Sequence, residues 1–266
     1  SKEEGIAIIT LNRPKAMNAL TPTLIDELLL VLDDAKRDPG VKVAVITGVG
    51  RAFCSGADVK AWASDRADDP RHPGGPPSNS AAEARNSGNL GIHRVPRAVE
   101  VFPKPLLASV NGPALGGGMD LASMCDWRIA SERARLGFTH VRVARLSMDG
   151  GYYFLSRIIG VPRTLELAWT SRIFDAEEGL RIGYINKLVP HEELSAETMA
   201  FASMLARGPS VAIELAKRLI YRAPNSSLDQ ALKDVELACA LNGSTADAIE
   251  GPKALVEKRK PSFKGR

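Results

Sequence analysis

Cysteine is scarce: Cys54, Cys125 and Cys239 are the only three in 266 residues, widely spaced, odd in number and without a CxxC pair. That pattern excludes a disulfide framework and gives no zinc-ligand spacing, and it suits a reducing, cytoplasmic setting. Aromatic residues make up 5% of the chain and do not interleave with basic runs. The stacking platforms that single-stranded nucleic acid needs are therefore missing. No apolar run is long enough for a bilayer span, and no charged-then-apolar leader opens the chain. The first residue is Ser1 rather than Met, which leaves a removed targeting peptide open. Neither phosphate-loop signature, GxGxxG or GxxxxGK[ST], is present.

What is there describes an ordinary folded protein. A hydrophobic content of 44% and a charged content of 25% argue against wholesale disorder. The length allows one substantial domain, or one domain with a helical appendage. Lys and Arg number 35 against 31 Asp and Glu, a formal net charge of +4. This mild basic balance suits an anionic small ligand such as a phosphorylated cofactor, though many proteins without one share it.

Residues 5–11 read as a strand stopped at Asn12-Arg13-Pro14, because proline cannot donate to a sheet ladder. Thr21 reads as an N-cap with Pro22 in the first helical position, opening an amphipathic helix to about Arg37. Residues 42–47 form a second strand, and Gly48 and Gly50 mark a turn. Strand, helix and strand with short connections imply a βαβ unit and a mostly parallel sheet. Leu106–Val110 and Trp127–Ala130 are further strands, with a helix near Gly117–Cys125 between them. Between Ala63 and about Gly88 the composition turns to Asp, Arg, Pro, Gly, Ser and Asn, the signature of a surface segment, either a lid or a tolerated insertion. Beyond Tyr152 the pattern is helical: Leu155–Ile159, Arg163–Thr170, Ala176–Ile182, Leu194–Ala206, Pro209–Tyr221 and Leu228–Asn242. A β-rich core over 1–190 thus precedes a helical region over 191–266.

Two stretches carry chemistry. In Arg51-Ala52-Phe53-Cys54-Ser55-Gly56-Ala57-Asp58, Gly56 lets the backbone turn so that the Ala57 amide can face a cavity, although a small-residue loop after a strand is often only a turn. In Asn111-Gly112-Pro113-Ala114-Leu115-Gly116-Gly117-Gly118-Met119-Asp120, three glycines open a helix at a cost in conformational entropy. One reason for bare backbone there is a ligand oxygen approaching unpaired amides at the positive end of a helix; close packing of that helix on a strand is the other.

Together these stretches resemble the enoyl-CoA hydratase/isomerase (crotonase) superfamily. The resemblance covers nearly the whole chain: LNRPKAMNAL at 11–20, AFCSGAD at 52–58, NGPALGGGMDLASMCD at 111–126, SRIFDAEEGLRIGYINKLVP at 171–190 and KRKPSFKGR at 258–266. It implies an α/β spiral of ββα turns with two roughly perpendicular sheets and a C-terminal helical region that mediates trimerisation. It also implies an oxyanion hole built from the amides of Ala57 and Gly117, where preorganised donors are each worth about 3–4 kcal/mol of barrier. Coenzyme A, arriving as part of an acyl-CoA thioester substrate and not as a separate cofactor, would lie along Arg13, Ala16, Ser55, Ala57, Asp58 and Lys60. Phe263 and Lys264 would reach its adenine and 3′-phosphate, although a basic tail would look the same. No metal is implied, nor is nucleic acid or a membrane. The implied assembly is a homotrimer or a dimer of trimers.

The reaction is less directly legible. Hydratases of the superfamily use two glutamates. Asp120 occupies the first position, one helical turn after Gly117. In Leu136-Gly137-Phe138-Thr139-His140, His140 stands where the second glutamate is expected, which departs from two-glutamate hydration. Leu146-Ser147-Met148-Asp149-Gly150-Gly151 resembles the LSPDGG turn of isomerase-like relatives, whose Asp shuttles a proton; a one-residue insertion around Arg142–Arg145 brings Asp149 into register. Asp120 with Asp149 would support double-bond isomerisation or hydration of an enoyl-CoA. A water-activating His140 would support hydrolysis of a thioester or C–C bond, and loss of both glutamates would suit a non-catalytic acyl-CoA-binding scaffold. His72, His93 and His191 show no metal spacing and read as structural or solvated, and Cys54 as a packing residue. Tyr152 and Tyr153 are candidates for core packing or for lining an acyl pocket.

Overall fold

The computed structural model describes residues 1–58 and 93–266; the 63–88 segment, Lys60 and His72 lie outside them. Thr21 caps the first helix, α1 (Pro22–Arg37), accepting a hydrogen bond from the Leu24 amide at 3.3 Å. This helix connects strand β2 (Ile6–Leu11) to the parallel β3 (Val43–Gly48). Strands β4 (Leu106–Val110), β6 (Trp127–Ser131) and β9 (Lys187–Val189) extend the sheet in parallel, and the short β1 (Lys2–Glu3) closes the other edge antiparallel to β2. The resulting order is β1-β2-β3-β4-β6-β9.

The sheet is apolar on both faces, as a parallel sheet must be when both are covered. Alternate residues of β2 to β4 point into two cores. Ala7, Ile9, Leu11, Ala44, Ile46 and Ala108 meet α1 on one side. On the other, Ile6, Val43, Val45 and Leu107 meet Ala202 of helix α7 (Leu194–Ala206). The first helix beyond residue 190 therefore packs on the sheet.

A second sheet has three strands: β5 (Ala114–Leu115), β7 (Arg135–Gly137) and β8 (Ile173–Asp175), in that order. Strands of two or three residues are too short to show a period of two, which is why the sequence pattern did not reveal β5, β7, β8 or β9. Among the described residues the remaining helices are α2 (Arg94–Glu100), α3 (Gly117–Met124), α4 (Gly151–Ile159), α5 (Val161–Thr170), α6 (Ala176–Arg181), α8 (Ser210–Arg222), α9 (Leu228–Gly243) and α10 (Ala246–Val256). The sequence reading missed α2 and α10, each of which contains a proline (Pro96 and Pro252). None of the described helices is long and apolar enough to cross a membrane. The C-terminal helices carry exposed apolar side chains, including Leu228, Leu232, Leu237, Leu241, Ile249 and Leu255.

Candidate active site

The loops that leave the C-terminal ends of β3 and β4 meet at the start of α3. Gly56 has φ +89°, and a side chain on it would come within 2.7 Å of the Leu115 carbonyl oxygen. Leu20 bonds to the two residues flanking Ala57, accepting from the Asp58 amide (3.2 Å) and donating to the Gly56 carbonyl (2.8 Å). Parallel pairing of this kind turns the Ala57 N–H away from Leu20. Gly117, at the first position of α3, contributes one of the amides that a helix leaves unpaired at its N-terminus. The glycine after it has a packing reason: a methyl on Gly118 would overlap the Cys54 carbonyl oxygen and sit 2.6 Å from the Cys54 carbonyl carbon. The packing reading of the glycine run therefore holds at Gly118.

The 13–20 loop braces this arrangement. Buried Asn18 accepts from the Arg13 amide (2.8 Å) and donates to the carbonyls of Val49 (3.0 Å) and Ala52 (2.8 Å). The Ser55 amide donates to Met17 O at 3.0 Å, and Arg13 reaches Ala19 O (2.6 Å) and the Asp58 carboxylate (3.1 Å). Replacing Asn18 with Ala removes all three bonds and leaves the Ala52 carbonyl only the longer one from Asn111 Nδ2 (3.3 Å). We expect a loss of about 1–3 kcal/mol in urea unfolding, with a drop in kcat because the same loop aligns Ala57.

Five of the ligand-binding residues expected from sequence come together here: Arg13, Ala16, Ser55, Ala57 and Asp58, with Ser55 Oγ 3.4 Å from Ala16 O. Lys60 is outside the described residues. Phe263 and Lys264 are not brought to this place within the chain. The amides of Lys264 and Gly265 donate to the Asp247 carboxylate (2.6 and 2.8 Å), and the space around Gly265 is bounded by Ser210 and Lys42. Lys42 precedes β3, whereas the Ala57 loop follows it, so the six-residue strand separates tail and site by roughly 20 Å.

Three segments deliver titratable groups beside the amides. Asp120, on α3 one turn after Gly117, is wholly buried. Asp149 comes from the turn before α4, and a side chain on Gly117 would meet its Oδ2 at 3.1 Å. His140 follows β7, at the start of a tight turn (Val141–Val143) closed by Ala144 in the left-handed conformation. His140 Nε2 lies 3.0 Å from Asp120 Oδ2. Ser147, which the sequence reading passed over, lies between the carboxyls: its Oγ is 2.9 Å from Asp120 Oδ2 and 3.2 Å from Asp149 Oδ1. The only sequence signal for it was its place two residues before Asp149 in the LSMDGG run.

Burial sets the protonation of this cluster. It pushes Asp120 up to about 6, against hydrogen bonds from Asp149 and Ser147 that favour its charged form. Asp149 is held well above the usual carboxylate range by burial and then by the Asp120 charge. Because the Asp120 charge itself raises Asp149, the two buried carboxyls resist being ionised together. Burial lowers His140, with Asp149 opposing. A neutral imidazole donating from Nε2 to Asp120 leaves Nδ1 as a bare lone pair, in keeping with its burial without a partner. Phe138 packs edge-on against this ring (centroids 4.8 Å apart) and against half-exposed Tyr152 (5.2 Å).

Among the described residues, Asp120, His140 and Asp149 are also the group that could hold a cation, with one donor atom each lying within 4.8 Å of the others. Their mutual hydrogen bonds rely on protons that a cation would displace. Cys54, buried three residues before Ala57, has its thiol pushed up to about 12 by burial, as a packing residue would. His191 bonds Ser131 at 3.0 Å, and His93 precedes α2.

Two backbone amides beside a cluster of buried carboxyls raised toward neutral pH are equipment for acid–base chemistry on a carbonyl compound. The chain belongs to the enoyl-CoA hydratase/isomerase family, within the crotonase superfamily: the model of that family matches residues 1–266. A crotonyl-CoA hydratase of Syntrophomonas wolfei is 36% identical over 98% of this chain and 95% of its own. A short-chain-enoyl-CoA hydratase of Clostridium acetobutylicum is 35% identical over 100% and 97%. The crystal structure of an enoyl-CoA hydratase from Bacillus anthracis superposes with a TM-score of 0.86 at 33% identity, covering 98% of this chain and 96% of that one. The chain is accordingly an enzyme of the enoyl-CoA hydratase/isomerase type.

Proposed function

We propose that this enzyme adds water reversibly across the 2,3 double bond of an enoyl-CoA. The observation that carries the reading is the Asp120–Asp149 carboxyl pair, bridged by Ser147 Oγ beside Gly117 and raised by burial, so that one member holds a proton that the other lacks. Hydration needs a base for the water and an acid for the α-carbon in the same place. A singly protonated carboxyl pair is both. Negative charge gathering on the thioester oxygen is held by the two amides and the start of α3. Asp149, against Gly117, exchanges the proton at the α-carbon, and the ionised member of the pair takes the proton of the water. The hydratase names of the relatives support the same reaction.

Double-bond isomerisation is the second reading, favoured by the placement of Asp149: one carboxyl beside the oxyanion amides suffices to move a proton between carbons. Hydrolysis led by His140 has less support, since Nε2 is engaged by Asp120 and Nδ1 is buried. His140 acts instead as the group that orients Asp120.

In this reading coenzyme A lies along Arg13, Ala16, Ser55 and Asp58, and no separate cofactor or metal takes part. Phe263 and Lys264, at the far end of the sheet, would serve the site of a neighbouring copy in a homotrimer or dimer of trimers, whose contacts would cover the exposed apolar C-terminal helices. Incubation with crotonyl-CoA and a 3-enoyl-CoA in D2O, followed by mass spectrometry and proton NMR, tests the reaction. A gain of one water mass with deuterium at the α-carbon is expected. Double-bond movement alone establishes the second reading, and release of free coenzyme A overturns both.

A further inference from the structure

Ser147 stands between the two carboxyls and has no part in the steps above. Its Oγ is within hydrogen-bond distance of Asp120 Oδ2 (2.9 Å) and Asp149 Oδ1 (3.2 Å), and it accepts from the Gly151 amide at 3.0 Å. A serine hydroxyl has one proton to give. Because the Gly151 N–H at the start of α4 pins the oxygen, the heavy atoms need not move; rotation about the Cβ–Oγ bond redirects the proton from one carboxyl to the other. A hydrogen bond to an anion is worth roughly twice one to a neutral acceptor, so the hydroxyl turns toward whichever carboxyl is charged.

We propose that Ser147 is a positioning residue that makes Asp120 and Asp149 one acid–base unit, giving its hydrogen bond to the ionised carboxyl and turning to the other as the proton passes. The inference rests on the acid–base reading of this pair given above.

The groups that face the unit from the surrounding elements are His140 after β7, the Cys54 thiol on the oxyanion loop and the buried Tyr184 hydroxyl, which bonds Met119 O (3.0 Å) and Ser123 (3.1 Å). Burial raises both the Cys54 thiol and the Tyr184 phenol, so each remains neutral where the carboxyls titrate. The acid limb of the rate profile therefore belongs to Asp120, Asp149 and His140.

The test is the pH dependence of kcat for crotonyl-CoA in the full-length protein carrying Ser147→Ala or Ser147→Thr. Removing a donor to the charged form raises the pKa of the pair. The acid limb of Ser147→Ala should therefore move to higher pH by about one unit or more. KM should change little, and Ser147→Thr should restore the profile. Should Ser147→Ala fold poorly, Ser147→Thr against Ser147→Val makes the same comparison at nearly constant shape. A slower enzyme with an unmoved acid limb, or an unmoved limb in the Val variant, would show that Ser147 merely ties the turn and would overturn the proposal. Asp149→Asn measured alongside separates the two levels: retained turnover there defeats the acid–base reading itself, whereas lost turnover with an unmoved Ser147→Ala limb defeats only the role of Ser147.

Discussion

Asp149→Asn is expected to lower kcat for the preferred enoyl-CoA by about 10²–10⁴-fold, the usual worth of a positioned acid–base group, with KM nearly unchanged. The side chain keeps its size and its contact with Ser147, but it can neither take nor release a proton. The same substitution should stabilise the fold. Asp149 has its folded pKa raised by burial and by the neighbouring Asp120 charge. A carboxyl raised in this way favours folding at pH values below its unfolded pKa, and that contribution is lost as pH rises through the folded value. Above the unfolded pKa the wild type therefore bears the cost of keeping that carboxyl protonated and, at alkaline pH, of burying its charge, a cost that Asn avoids, whereas in acid the two proteins should melt alike. Thermal melts across pH check this, and equal melting temperatures at alkaline pH would remove the case for a proton-sharing pair. For the wild type the rate should also fall below about pH 6, the level to which burial pushes Asp120, as the last carboxylate of the pair protonates.

Gly118→Ala should be as damaging to activity and should reduce stability as well. The added methyl overlaps the Cys54 carbonyl oxygen and lies 2.6 Å from its carbon and 2.9 Å from Cys54 Cβ. Two of these atoms are backbone, so relief requires α3 or the Cys54–Ala57 loop to shift. Each of those carries one of the two amides, of Ala57 and Gly117, proposed above to hold the thioester oxygen. Loss of a single such donor typically costs about 10²–10³ in kcat, and overpacking of this kind adds about 1–3 kcal/mol of instability. Gly243→Ala is the control: nothing lies within 4 Å of its added methyl, and its helical position favours Ala. Steady-state rates and thermal melts of both variants are the measurement. Near-wild-type turnover by Gly118→Ala would mean that the close approach does not set the amides.

Some of this was legible without coordinates because its causes are local. Thr21 and Pro22 announce α1 at its observed boundary, since capping and a preset φ act within one turn. The apolar runs of β2, β3, β4 and β6 and the stripes of α7 to α9 are likewise written in short windows of sequence. The glycines at 116–118 signalled that something must approach bare backbone, and Gly118 against Cys54 shows one such approach.

Other features depend on distant partners. The strands β5, β7 and β8 are so short that pairing alone gives them identity. That the Asp247 carboxylate holds the tail of Phe263 and Lys264 at the opposite end of the sheet from the Ala57 loop of the same chain is written nowhere in the local sequence.

By itself the sequence determined the family, the α/β character and the two backbone segments that present Ala57 and Gly117, because motif order, capping and apolar period are properties of the chain alone. Only the tertiary structure decided that His140 spends its Nε2 on Asp120, that Ser147 bridges two carboxyls, and that burial raises both of them. Burial and charge proximity set all three. Neither exists until residues 120, 140 and 149, far apart along the chain, are packed into one site.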